Sequence, residues 1–181
     1  VALFLALCGC SSPTEPPKAF DAFVVKDAAF ACDAPKGWEL KTGSRPDNTY
    51  SWVKFTKGST EVRIDADVTG SLLADISKSF GGDDPDNPPV AALHEMKIDQ
   101  LAEDLGNYKE QPAEPFQSTH LGEGRKGEFT ADGNMGSKQR GYHATLLSNN
   151  RRLTIICRCP SGEWKKLAPS FDRIIASVKG R

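Results

Sequence analysis

The chain lacks any apolar run long enough to cross a bilayer as a helix, which takes about 20 residues. Its leading stretch, Val1 to Leu7, is only seven residues. It also lacks a surplus of either charge, with 23 basic and 24 acidic side chains among 181 residues. There is thus no electrostatic footprint of the kind that holds a phosphate backbone, and nucleic acid is not an expected partner. Histidine is scarce, at three. His94, His120 and His143 show neither the i, i+2 nor the i, i+4 spacing of a ready metal site, so each is expected to be a surface or hydrogen-bonded histidine and no metal is expected. Neither a G-x-S-x-G elbow nor an H-E-x-x-H helix is present, and no catalytic residue is assigned. This absence says little about a triad assembled only in space. No internal repeat is found.

What is present begins with the amino terminus. Val1 to Leu7 reads as the end of a signal-peptide apolar region, and a start at Val1 without a basic residue implies a missing positive region upstream. Leu7-Cys8-Gly9-Cys10-Ser11-Ser12 resembles the bacterial lipobox. Cys10 has Gly9 directly before it and Leu7 three positions upstream, whereas Cys8 has the bulky Leu7 where a small side chain is needed. The resemblance implies that residues 1–9 are a signal remnant and that Cys10 becomes the first mature residue, carrying a diacylglyceryl thioether and an amide-linked chain such as palmitate. Each buried methylene contributes about 0.8 kcal/mol, so two or three chains hold a domain on a membrane without a spanning helix. The expected location is the bacterial cell envelope, on a periplasmic or outer-surface face. The alternative is an ordinary secreted protein in which Cys10 is a disulfide cysteine or a small apolar residue. Residues 10–19, rich in proline and polar residues, read as a solvated tether.

Residues 20–181 suit one domain. Phe20 to Val25 and Ala29 to Ala34 read as short strands, Pro35-Lys36-Gly37 as a turn, and Tyr50 to Phe55 as a strand. Glu61 to Val68 alternates strictly, with Val62, Ile64, Ala66 and Val68 on one face and Arg63, Asp65 and Asp67 on the other. A short helix is expected at Ser71 to Ile76 and a longer one over Val90 to Leu105. Phe116 to Leu121, Glu128 to Ala131, Gln139 to Leu147 and Arg152 to Cys159 follow as strands, with Asp132-Gly133 as a hairpin signal. Trp164, Leu167, Phe171, Ile174, Ile175 and Val178 form the stripe of a terminal helix, kinked or restarted at Pro169. Strands, helix, strands, helix is an α+β order.

Ala34-Pro35-Lys36-Gly37-Trp38, the strand Val62 to Val68 before a Gly-Ser helix, and the strand Arg152 to Cys159 with the helix Trp164 to Val178 resemble the PsbP-like family. That family is similar in fold to the Mog-type import factors and includes extrinsic subunits of photosystem II. The resemblance implies a central antiparallel sheet sandwiched by helices, and a non-enzymatic binding or assembly role. No residue of a docking surface carries over.

Gly122-Glu123-Gly124-Arg125-Lys126-Gly127 has dinucleotide-binding spacing, but a strand rather than a helix follows, so a glycine-rich turn is expected and no cofactor. Asp83, Asp84 and Asp86 lack the fixed glycine and distant Glu of a calcium loop and read as solvated. Cys157 and Cys159, two apart on a strand, point into the core with Leu153 and Ile155. A disulfide of Cys32 with Cys157 or Cys159 is one reading and three buried free thiols the other. The row Arg63, Asp65, Asp67 reads as a solvated sheet face or a docking edge. The function these features imply is a lipid-anchored, non-catalytic envelope module with a possible protein partner in the envelope. The alternative is an envelope hydrolase whose site exists only in three dimensions.

Overall fold

The computed structural model describes residues 13–25, 29–68, 89–133, 136–148 and 151–180. Cys10, the Ser71 to Ile76 helix and the Asp83, Asp84, Asp86 loop lie outside the described residues. The elements in chain order are β1 (Phe20–Val24), β2 (Phe30–Pro35), β3 (Glu39–Ser44), β4 (Tyr50–Lys57), β5 (Thr60–Val68), α1 (Pro89–Asp104), β6 (Lys109–Glu110), β7 (Glu114–Ser118), β8 (Gly122–Asp132), β9 (Lys138–Ser148), β10 (Arg151–Pro160), α2 (Trp164–Ser177) and β11 (Lys179–Gly180). The main sheet runs β3-β4-β5-β10-β9-β8-β6, with β7 also paired to β8, and β1-β2-β11 form a second sheet. All pairings are antiparallel. The two helices lie on opposite faces of the main sheet, giving the expected α+β sandwich.

The α2 face is the apolar one, and strand alternation builds it. Val62 and Ile64 of β5, Val53 and Phe55 of β4, Leu146 of β9 and Leu153, Ile155, Cys157 and Cys159 of β10 pack in one cluster with Trp164, Leu167, Phe171, Ile174 and Ile175 of α2. Burying side chains of this size contributes about 1.5–3 kcal/mol each. α2 runs through Pro169 as one helix. The carbonyl that Pro169 cannot bond belongs to Lys165, an exposed residue. Among the described residues Cys32, Cys157 and Cys159 are buried thiols, and this structure contains no bond from Cys32 to Cys157 or Cys159.

The glycine-rich turn expected at Gly122 to Gly127 is corrected: it is the first half of the long strand β8. Only Gly122 needs its positive φ of 77°. Gly124 and Gly127 are there for close approach. A Cβ at Gly124 would lie 2.6 Å from the Phe116 ring, and one at Gly127 would lie 1.9 Å from Glu110 Oε1. Among the described residues no helix is long and apolar enough to cross a membrane.

Candidate functional site

α1 covers only the β8–β9 half of its face of the sheet, where Leu101 meets Phe129, Ala131 and Ile156. Beyond α1 the same face carries charge. Register places Arg152 opposite Asp67 and Arg158 opposite Glu61, and these pairs close at 3.3 and 3.1 Å. Arg63 grips Asp65 through Nε and Nη2 at 2.9–3.1 Å and donates to the Tyr50 hydroxyl at 2.7 Å. The Tyr50 hydroxyl in turn donates to Asp65. Burial, then the hydrogen bond to Asp65, pushes the Tyr50 phenol up to about 12. The Arg63 guanidinium lies over the Trp52 ring. Together with Lys97, Gln100 and Asp104 of α1, Tyr50 and these ion-paired residues line a cleft of 760 Å³. The row Arg63, Asp65, Asp67 forms a wall of this cleft, with Asp65 buried at 9% exposed and Arg63 and Asp67 half-buried. Arg152 Nε, in the cleft wall, is buried without a hydrogen-bond partner among the described residues.

Under α1 lies a second polar centre. His94 of α1, Glu110 of β6 and His143 of β9 are brought together, while His120 stays exposed elsewhere. His94 Nε2 meets Glu110 Oε1 at 2.9 Å and His143 Nδ1 meets Glu110 Oε2 at 3.1 Å. The Tyr108 hydroxyl also donates to Oε2, its ring seated on Phe129. Thr145 Oγ1 stands beside both imidazoles, 3.0 Å from His94 Nδ1 and 3.5 Å from His143 Nε2. The rings stack with centroids 3.9 Å apart and planes 15° from parallel. His94 and His143 are at most 1% exposed.

Each position follows from the local chain. His94 falls on the same helical stripe as Val90 and Leu101, which packs against the sheet. His143 and Thr145 share the α1 face of β9 by alternation. Gly127 is the register partner of His143, and its missing side chain is the space that the Glu110 carboxylate occupies. Burial would raise the Glu110 carboxyl, but hydrogen bonds from His143, His94 and Tyr108 hold it down at about 2. Burial lowers His143 to about 4, despite its bond to Glu110. Glu110 is therefore an anion that accepts from both imidazoles. A cavity of 450 Å³, lined by Ala91, Ile98, Tyr108 and Pro112, reaches His94 and Glu110.

The expectation of satisfied or surface histidines holds for each residue singly. What sequence reasoning missed is that two of them meet, and that Glu110 joins them. The signal available was His94 on the buried stripe of a helix together with His143 in alternation with Leu147.

The fold these elements define is PsbP-like. The solution structure of the cyanobacterial PsbP protein (CyanoP) of Synechocystis sp. PCC 6803 aligns with a TM-score of 0.65 over 98% of this chain and 99% of that one, at 11% identity. A crystal structure from Bacteroides thetaiotaomicron VPI-5482 aligns with a TM-score of 0.55 at 13% identity, over 88% of this chain and 48% of that one. Identities this low establish the fold alone. No family model and no curated protein matches the sequence.

Proposed function

We propose that this protein is a lipid-anchored module of the bacterial envelope that binds a partner through the charged cleft between α1 and strands β4, β5 and β10, without catalysis. The observation that carries the reading is the cleft itself. It gathers cross-strand ion pairs on a half of the sheet that α1 does not cover, together with a buried Arg152 Nε that finds no hydrogen-bond partner among the described residues. Such an array suits recognition, because complementary charge sets partner choice and approach rate more than raw affinity. The anchor rests on Leu7, Gly9 and Cys10. It implies palmitate labelling that disappears in Cys10→Ala and a mature terminus at residue 10. Equal labelling of parent and variant removes the anchor from the reading. For the cleft, Arg158→Glu and Arg63→Glu are compared with the parent in crosslinking from intact membranes. Adducts of the parent that persist unchanged in both variants place binding elsewhere.

An envelope hydrolase is the competing reading, and the polar centre beneath α1 is its best support. Glu110, His94 and Thr145 form a carboxylate–imidazole–hydroxyl chain, the order of an acid–base relay. Thr145, however, is fully buried in the middle of β9, and the cavity that reaches His94 and Glu110 is not lined by it. A nucleophile needs contact with substrate. The binding module is the better account.

A further inference from the structure

We propose that His94 Nε2, His143 Nδ1 and Glu110 Oε1 form a binding site for one divalent first-row transition ion of the zinc type. These residues offer donor atoms that all lie within 4.8 Å of one another. Bonds of about 2.1 Å then require each atom to move by less than about 1 Å toward a common centre. Two imidazoles with one carboxylate select borderline ions over calcium or magnesium, which favour oxygen ligands alone.

The surroundings supply what such ligands need. A metal-bound histidine donates its other ring N–H to an acceptor that fixes its orientation, and Thr145 Oγ1 lies beside the far nitrogen of both rings, at 3.0 and 3.5 Å. Without an ion, both ring N–H groups point at Glu110, and the single Thr145 hydroxyl hydrogen must serve two imidazole lone pairs. One of them goes unmet. With an ion, each ring moves its hydrogen to the far nitrogen, and the two lone pairs of Oγ1 accept both. No proton leaves the centre in this exchange. Tyr108 keeps its bond to Oε2, so Oε1 is the oxygen left for the ion. Gly127 leaves the carboxylate its space. The cavity at His94 and Glu110 provides an entry path and a further coordination position. The rings, now nearly parallel, must splay so that their lone pairs converge.

The test uses the full chain, labelled with ¹⁵N, held in mild detergent and stripped with a chelator. Histidine ring nitrogens are followed as ZnCl₂ is added. The expected result is a change at one equivalent in the His94 Nε2 and His143 Nδ1 signals, with both far nitrogens becoming protonated, while exposed His120 does not respond. MgCl₂ leaves all three unchanged. Thr145→Val, which keeps the shape, weakens Zn²⁺ binding by about 10–100-fold, and Glu110→Gln weakens it further. The parent spectrum requires no variant, so a folding defect in Glu110→Gln does not obscure the answer. Signals of His94 and His143 that stay fixed at several equivalents, a response confined to His120, or an equal response to Mg²⁺ overturns the proposal.

Discussion

Gly127→Ala is the sharpest probe of the buried centre. The backbone of Gly127 is ordinary for a strand, so alanine costs nothing in φ and should gain about 0.5–1 kcal/mol from a stiffer unfolded chain. The new methyl carbon would stand 1.9 Å from Glu110 Oε1 and 2.7 Å from its Cδ. The carboxylate must therefore leave, and with it go its bonds from His94, His143 and Tyr108. Stranding a charge-assisted network of this kind costs about 3–5 kcal/mol, less whatever hydration Glu110 regains in the neighbouring cavity. The net expectation is a loss of about 2–4 kcal/mol, or a fall in Tm of about 5–15 °C for a domain of this size. Urea unfolding followed by tryptophan fluorescence measures it, with Gly162→Ala, where a Cβ meets nothing within 4 Å, as the control. The decisive step is a double-mutant cycle: in a Glu110→Ala background, adding Gly127→Ala should no longer destabilise and should leave the gain of about 0.5–1 kcal/mol. If Gly127→Ala costs the same in both backgrounds, the clash with Glu110 is not its cause and the reasoning fails.

The same centre sets a pH dependence. His143 is lowered from 6.5 to about 4, so the unfolded chain takes up its proton first and stability falls as pH drops from 6.5 to 4. Glu110 is lowered from 4.5 to about 2, so its contribution, full above 4.5, is lost as pH falls toward 2. Urea midpoints measured with a chelator present should decline through both windows, and Glu110→Gln should flatten the lower one; a parent profile flat from pH 7 to 3 contradicts this. Burial pushes the thiols of Cys32 and Cys159 up to about 12 and raises that of Cys157 well above its ordinary value. All three should resist a thiol-titrating disulfide reagent in the native protein and react in urea, whereas rapid native reaction would show that the core is open. In the cleft, Arg63→Met strands nearly buried Asp65 and should cost about 2 kcal/mol. Lys41→Met, which breaks only the exposed pair with Glu39, should stay within about 0.5 kcal/mol, and similar losses in both would mean that the Asp65 network is not buried in solution.

Local periodicity was enough to recognise most of the scaffold. Glu61 to Val68 alternates because one face of β5 meets α2 and the other does not, and that asymmetry is written residue by residue. Likewise the stripe from Trp164 to Val178 shows a helix with one buried side even with Pro169 inside it. The glycines were misread because glycine carries two meanings. Gly122 is where a turn needs a positive φ, but Gly124 and Gly127 make room for Phe116 and for Glu110, and only the partner across the strand tells these apart.

The chain alone therefore determined the α+β class, most of the long strands, both described helices, and the inward direction of Cys157 and Cys159, but not β3, β6 or β11. Those follow from near neighbours and the repeat of strand and helix. Tertiary structure decided the rest. It built Arg63, Asp65 and Asp67 into the wall of a cleft beside α1, and it joined His94, Glu110 and His143 from three elements far apart in sequence. The physical reason is that a buried polar centre forms by strand register and helix placement, which pair residues at long range and leave no spacing for a sequence to display.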